Sequence, residues 1–402
     1  MRLKSLLSSS ILLIGVTLSG AAWADASCHG GAGFPQWLGQ IKGQAARQGF
    51  SPRTLAVLDG LTPDPKVLNQ DRGQPSLSQS FLQFSDRMVT SDRLSKGRGL
   101  IAANRQVLSR VERDYGVPGP VLVALWGFET NFGTFQGSFD TLRALATLGY
   151  DCRRPDFFTG ELMNALRLID RGDLSPAEMK GAWAGELGQT QFIPSRYLEF
   201  AVDYDGDGRR DLVRSVPDVL ASTANYLRSL GWKRGQPWLE EVRVSDTVPW
   251  GESARAIRHP RSFWAKAGIR QADGRPLPGD SLPASLILPM GRLGPAFLAY
   301  DNFGIFWKWN QSSNYTLAAA YFATRLAGAP ALDRGHAPAI LSAAEMKEVQ
   351  QRLRGMGVDG GEPDGRLGET TRDGVKKAQA RFGLPQDGYP TAELLAKLRS
   401  GR

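Results

Sequence analysis

Pro118-Gly-Pro-Val-Leu-Val-Ala-Leu-Trp-Gly-Phe-Glu129-Thr-Asn-Phe-Gly133 reads as one short helix with an acid near its end. Pro120 suits a first helical turn, and Gly133 suits the helix end. At about 100° per residue, Val121, Leu125, Phe128 and Phe132 fall on one face. Glu129 lands between Leu122 and Leu125, on the edge of that face. It also lies in the last turn, where the helix dipole opposes a negative charge. Both effects disfavour the ionised carboxyl, which is what a general acid working near neutral pH needs. On the helix alone, a Glu paired with an Arg at the rim of the core explains the pattern equally well.

The flanking sequence is also helical. Phe34 to Leu58 and Leu94 to Tyr115 look amphipathic, and helical patterns run from Val121 to about Leu230. Between 239 and 300 the character changes: Glu240–Val244, Ser285–Leu288 and Phe297–Tyr300 are strand candidates between Gly/Pro-rich turns. Helix returns from Thr316 to Leu326. The fold class expected is mainly α, with a small β-containing insertion and a C-terminal three-helix module. Composition agrees with a globular chain: of 402 residues, 42% are hydrophobic and 22% charged. Two Cys and three His exclude a zinc-finger array and a disulfide-scaffold miniprotein.

Residues 1–24 carry Arg2 and Lys4, an apolar run from Leu6 through Leu18, and Ala22-Trp23-Ala24. These are the parts of a secretory signal peptide. Asp25 stands where a lipobox before Cys28 would want an aliphatic residue, so a freely soluble exported protein is expected, without stable membrane insertion. No other stretch approaches the ~20 apolar residues of a membrane helix. The formal charge of +9 falls to +7 without the leader, which favours an anionic partner. Export makes nucleic acid an unsuitable one, and periplasmic residence follows. Two thiols in an oxidising compartment, without metal-ligand spacing, predict a Cys28–Cys152 disulfide.

Four segments then fall into one pattern. Trp126-Gly-Phe-Glu129-Thr-Asn-Phe-Gly133 resembles the catalytic-glutamate motif of the lytic murein transglycosylase B family. Tyr150-Asp-Cys-Arg153-Arg154 is similar to its paired-arginine turn. Trp183-Ala-Gly-Glu-Leu-Gly-Gln-Thr-Gln191-Phe-Ile-Pro-Ser195 resembles its Gly-Gln-Phe-x-Pro-Ser segment, and Trp309-Asn310-Gln-Ser-Ser-Asn-Tyr315 its Asn-x-Ser-x-x-Tyr groove segment. The resemblance implies a lysozyme-like fold that cleaves the MurNAc–GlcNAc bond of peptidoglycan and leaves 1,6-anhydro-MurNAc ends. It implies Glu129 as the single acid and base, with no cofactor. It also implies that Gln191, Arg153, Arg154, Asn310 and Tyr315 bind substrate, with Trp309 as an exposed sugar platform. Ala182 and Phe84 depart from the pattern, each lacking a hydroxyl the family carries there. Glu112 and Glu161 fall in no matching motif and are expected to tolerate replacement by Gln. The rival functions are a hydrolytic muramidase on the same fold and a non-catalytic wall-binding protein.

Asp203-Tyr-Asp205-Gly-Asp207-Gly208-Arg209-Arg-Asp211 follows the start of a calcium loop, with oxygen ligands at alternate positions and Gly at the sixth. Arg214 stands at the twelfth position instead of a bidentate Glu, and Asp218 supplies a later carboxylate, as in the family's lengthened loop. A structural Ca2+ is expected on Asp203, Asp205, Asp207, Arg209, Asp211 and Asp218. Beyond an Ala/Pro/Gly-rich linker, residues 341–402 resemble a peptidoglycan-binding domain. Its Ser342 and Glu345 form a capping box, and Val349, Leu353, Leu367, Val375 and Phe382 form its core. The organisation expected is thus 1–24 signal peptide, 25–328 catalytic domain, 329–340 linker and 341–402 wall-binding module, acting on peptidoglycan glycan strands.

Overall fold

A computed structural model describes residues 28–73 and 79–401. The expected leader, 1–24, lies outside the described residues. The described residues make two compact units, one from 28–73 with 96–230, the other from 79–95 with 231–401.

The first unit is helical. Its centre is the helix Gly119–Thr130, in which every residue from Val121 to Thr130 except Glu129 is buried. The amphipathic face read from the sequence is therefore a partial view: this helix is apolar on all sides because protein surrounds it. Thr141–Tyr150 packs on Pro155–Asp170, and Arg105–Tyr115 packs on Val216–Ser229. A two-residue ladder joins Phe139–Asp140 to Lys180–Gly181, and bridges from Leu187 to Gly181 and Phe192 fold the intervening loop back on itself. Cys28 and Cys152, separated by 124 positions, are disulfide-bonded with Cα atoms 5.7 Å apart. Beside them His29 stacks on Tyr150 at 5.1 Å, and Trp37 tilts against both rings.

The second unit contains an antiparallel sheet. Its three main strands, Pro283–Ile287, Ala296–Ala299 and Leu239–Arg243, lie side by side, with Ala299 opposite both Ser285 and Leu239. They correspond to the three runs marked as strands in the sequence, each within two residues. Trp264, Leu286 and Leu298 are fully buried in its core. The helices Asp301–Trp309 and Ser313–Leu326 follow, and Phe81–Met88 packs on the latter.

The C-terminal helices Ala343–Gly355, Glu369–Arg381 and Ala392–Ser400 close over Val349, Leu353, Val375 and Leu394, with Leu367 and Phe382 at the margin. Ser342 and Glu345 form the reciprocal capping box. These helices are docked on the rest of their unit through charged donors. Buried Lys376 donates to the carbonyls of Gly251 (3.1 Å) and Ser253. Arg372 donates to those of Leu288 (3.2 Å) and Pro289 (2.8 Å), and Arg255 forms a bidentate pair with Glu369 at 2.6 and 2.9 Å. Residues 329–340 have no helix or strand, yet Arg334 pairs with Asp86 and Leu332 donates its amide to the Tyr321 hydroxyl.

Two stability predictions follow from these ties. Lys376→Met strands two backbone carbonyls and is expected to cost about 2–3 kcal/mol in urea denaturation; an unchanged midpoint would mean that the docking adds nothing. Replacing both cysteines by serine frees a loop of 124 positions in the unfolded chain, worth roughly 4–5 kcal/mol by chain entropy, and equal midpoints for the two proteins would contradict that account.

Candidate active site

The helix carrying Glu129 ends in an abrupt left-handed corner. Asn131 (φ 51°) and Phe132 (φ 62°) adopt a conformation that non-glycine residues rarely take, and Gly133 follows at φ 77°. Gly133 is required twice over, because a Cβ there would also strike the Gln189 side chain. The corner closes through the Asn131 amide on the Gly127 carbonyl and the Phe132 amide on that of Trp126. Lys96 adds its ammonium to the Asn131 carbonyl at 3.3 Å and lies over the Phe132 ring, a cation placed at the negative helix end. Glu129 is half-buried two residues before this corner.

Gln189, which carries no role in the sequence reading, holds the corner in place. Its Oε1 accepts from the Trp126 indole at 2.8 Å, and its Nε2 donates to the Val213 carbonyl at 3.0 Å. Its own carbonyl accepts from the Thr130 hydroxyl at 2.6 Å. Thr130 in turn accepts from the Gly133 amide at 2.8 Å. Gln189 thus binds the residues on both sides of Glu129. Gln191 is the third left-handed non-glycine residue among those described, at φ 54°. Its Nε2 donates to the Gln136 (3.0 Å) and Gly188 (2.8 Å) carbonyls, so its amide is oriented by backbone.

Arg153 and Arg154 both pair with Asp71, whose side chain is 1% exposed. One buried anion holds two guanidinium groups, which leaves a net positive charge at the turn. Arg154 also lies over the Phe158 ring at 4.8 Å. Asp71 escapes the sequence reading because it stands about eighty positions from its partners, with no local signal linking them. Glu186 lies inside the Trp183–Ser195 segment and likewise carries no role in the sequence reading. It is 8% exposed, and burial first, then the charge of Glu129, push its carboxyl up to about 7.

Asn310, Tyr315 and Trp309 belong to the second unit. Asn310 is buried, its Oδ1 accepts from the Ser312 amide at 2.9 Å, and its carbonyl accepts from the Thr316 hydroxyl at 2.6 Å. Trp309 is only 9% exposed, so it does not present the open ring face expected of a sugar platform. The large hydrophobic side chains that stand out among the described residues are Phe135, Phe157 and Leu293. Two of these are aromatics that flank the Glu129 corner and the arginine turn in sequence. Glu161 and Glu112 are placed differently. Glu161 is buried, and its Oε2 accepts from the Ser195 amide at 2.8 Å in the first turn of Pro194–Phe200. It therefore has a structural task, whereas Glu112 is exposed.

In the acidic loop, Asp203, Asp205 and Asp218 bring carboxylate oxygens within 4.8 Å of one another. Asp218 is fully buried, and its oxygens accept from the amides of Tyr204 (2.7 Å) and Asp211 (2.8 Å). Asp203 accepts from the amides of Gly206 (2.7 Å) and Gly208 (2.8 Å). Asp207 turns to the Arg209 amide, and Asp211 to the Arg214 guanidinium at 2.9 Å. The loop thus gathers three of the carboxylates marked in the sequence and turns two elsewhere. Its end is joined to the site, because the Leu212 and Val213 carbonyls both accept from Gln189.

Residues 33–324 match the transglycosylase SLT domain family, and residues 342–398 match a peptidoglycan binding domain family. The chain is 30% identical over 285 residues to the membrane-bound lytic murein transglycosylase B of Escherichia coli K12, covering 70% of this chain and 75% of that protein. The crystal structure of SltB3 from Pseudomonas aeruginosa in complex with NAG-anhNAM-pentapeptide is similar at a TM-score of 0.85 and 39% identity, over 92% of this chain and 100% of that one. The Escherichia coli lytic transglycosylase Slt35 in complex with calcium is similar at 0.63 and 27%, over 75% and 95%. With a match spanning most of its length, a mainly helical lysozyme-like fold and a peptidoglycan-binding module at its end, this chain belongs to the transglycosylase SLT domain family.

Proposed function

We propose that this protein is a lytic transglycosylase that cuts the MurNAc–GlcNAc bond of peptidoglycan strands with Glu129 as its acid and base. The observation that carries this reading is the half-burial of one carboxyl near the end of an otherwise buried helix, whose neighbours on both sides are held by Gln189. Glu129 gives its proton to the glycosidic oxygen as the C1–O bond breaks. The 2-acetamido oxygen of the same sugar closes on C1, replacing a second carboxylate. The muramic 6-hydroxyl then attacks C1, the acetamido bond opens, and the hydroxyl proton returns to Glu129. No water enters, and a 1,6-anhydro end results.

The arginine pair suits the lactyl and peptide carboxylates of the polymer, since the guanidinium fork matches a carboxylate. Phe135 and Phe157 offer ring faces to sugars in place of Trp309. Gln191, with both amide hydrogens committed to backbone, turns its Oε1 to the scissile sugar; Asn310 and Tyr315, 2% and 4% exposed, are no more open to a strand than Trp309. The leader, the disulfide and the wall polymer as substrate support export and work in the periplasm. The acidic loop suits a structural calcium ion: three carboxylates converge, one of them fully buried, and a hard cation relieves their repulsion. Held there, it would brace the carbonyls of Leu212 and Val213 beneath Gln189, without entering the reaction.

Glu129→Gln is expected to fold as the parent does and lose at least a hundredfold in turnover, as general acid–base assistance is worth about 10²–10⁴-fold. Mass analysis of products from purified sacculi should find muropeptides one water lighter than lysozyme products. Strong residual cleavage by the variant, or a hydrated product from the parent, would overturn the assignment. Calcium in the millimolar range should raise the melting temperature through linkage. Asp203→Ala combined with Asp205→Ala should abolish that rise, and a parent indifferent to calcium would remove the site.

A further inference from the structure

The seam between the C-terminal helices and the rest of their unit holds an open cleft of about 850 Å³. Sites for small ligands measure ~300–1,000 Å³, so it has room for a short peptide but not for a folded partner. Its floor is apolar, with Leu288, Phe303 and Leu317 beside the partly exposed Ile287 and Trp307. Six charged side chains also line it, and the fold consumes half of them. Arg372 and Lys376 donate to the backbone carbonyls named above. The Asp387 carboxylate accepts from the Arg292 amide at 3.0 Å and from the Gln379 side chain at 2.7 Å. The other three are Arg255, Glu369 and Asp373. Arg255 and Glu369 hold each other at 2.6 and 2.9 Å, while their side chains stay 32% and 47% exposed. Asp373 is exposed one turn along the helix Glu369–Arg381, with no ion-pair partner among the described residues.

We propose that this seam is a second binding site, one that takes the peptide stems of peptidoglycan and not its sugars. The choice of polymer rests on the function proposed above. A sugar site needs an open aromatic face, and Trp307 is engaged in holding Arg255, whose guanidinium lies 4.1 Å over its ring. The cleft offers instead an oriented guanidinium fork, an exposed carboxylate and an apolar floor. A stem peptide carries the complement of each: carboxylates, the ammonium of its diamino residue, and alanine methyl groups. The fork matches a carboxylate through two parallel hydrogen bonds. Glu369 fills the fork from within the chain, and the pair is exchangeable because partly exposed ions gain little from one another in water. A peptide carboxylate therefore displaces Glu369 from Arg255, the ammonium pairs with Asp373, and the methyl groups lie on the floor at Ile287. Arg372 and Lys376, tied to backbone, hold the two walls in place during that exchange.

The test is a fluorine NMR titration of the full chain labelled with fluorotryptophan. The probes are the free pentapeptide Ala-γ-Glu-diaminopimelyl-Ala-Ala and, separately, the peptide-free disaccharide GlcNAc–MurNAc. The Trp307 resonance, assigned by its loss in Trp307→Phe, is expected to move saturably with the peptide and to ignore the disaccharide. This readout is local to the seam, so peptide held by Arg153 and Arg154 does not enter it. A Trp307 signal indifferent to the peptide, or one that follows the disaccharide equally, would overturn the inference. Two variants should move the affinity in opposite directions. Arg255→Leu removes the fork and should weaken the peptide about tenfold or more, the worth of a charged hydrogen-bonded pair. Glu369→Gln removes the internal competitor and should tighten it by about three- to tenfold, since more of the chain is then competent to bind. A pair that only docks the helices would weaken binding in both variants or change neither, and either result overturns the inference. A chain that cuts strands while Trp307 ignores the peptide loses this site alone. Full activity in Glu129→Gln would instead overturn the acid–base assignment and leave the seam as it is.

Discussion

The side-chain amide of Gln189 is the interaction on which the site depends. It joins the end of a buried helix, a loop closed by single bridges, and the last residues of the acidic loop, three segments that are separate in sequence. An amide can do this because it offers both acceptor and donor, and its backbone carbonyl adds a third link. Buried polar atoms are costly when unmatched, so each partner holds the others to one geometry. The left-handed run Asn131–Phe132–Gly133 persists because this network over-determines it.

Several charges are paired unequally. Asp71 neutralises one of two arginines, so a positive surplus stays at a fixed point. Lys376 and Arg372 are satisfied by carbonyls instead of carboxylates, and the C-terminal helices are thereby docked by donors that keep their charge. Docking of this kind departs from a picture of two bodies on a slack connector. Residues 329–340 lack regular structure, yet they are fastened along their length by Arg334 to Asp86 and Leu332 to Tyr321.

The acidic loop and the left-handed corner after Glu129 form one mechanical path. The backbone that follows the three converging carboxylates is the backbone that receives both the amide and the side chain of Gln189.

The sequence by itself determined the local elements and their chemistry. The helix and the place of Glu129 near its end, the three main strands, the capping box at Ser342 and three core residues of the last module, Val349, Leu353 and Val375, were legible, because each rests on periodicity or on neighbours within a few positions; Leu367 and Phe382 lie at the margin of that core. The family was legible from four motifs in order. Tertiary structure alone decided which polar groups are consumed by the protein. Asp71 meets Arg153 and Arg154 across more than eighty positions, Trp309 turns inward, Asp211 turns to Arg214, and Glu161 binds the Ser195 amide. Residue type shows what a side chain can donate or accept. Whether water, backbone or a distant partner takes it up depends on burial, and burial is a property of the folded chain.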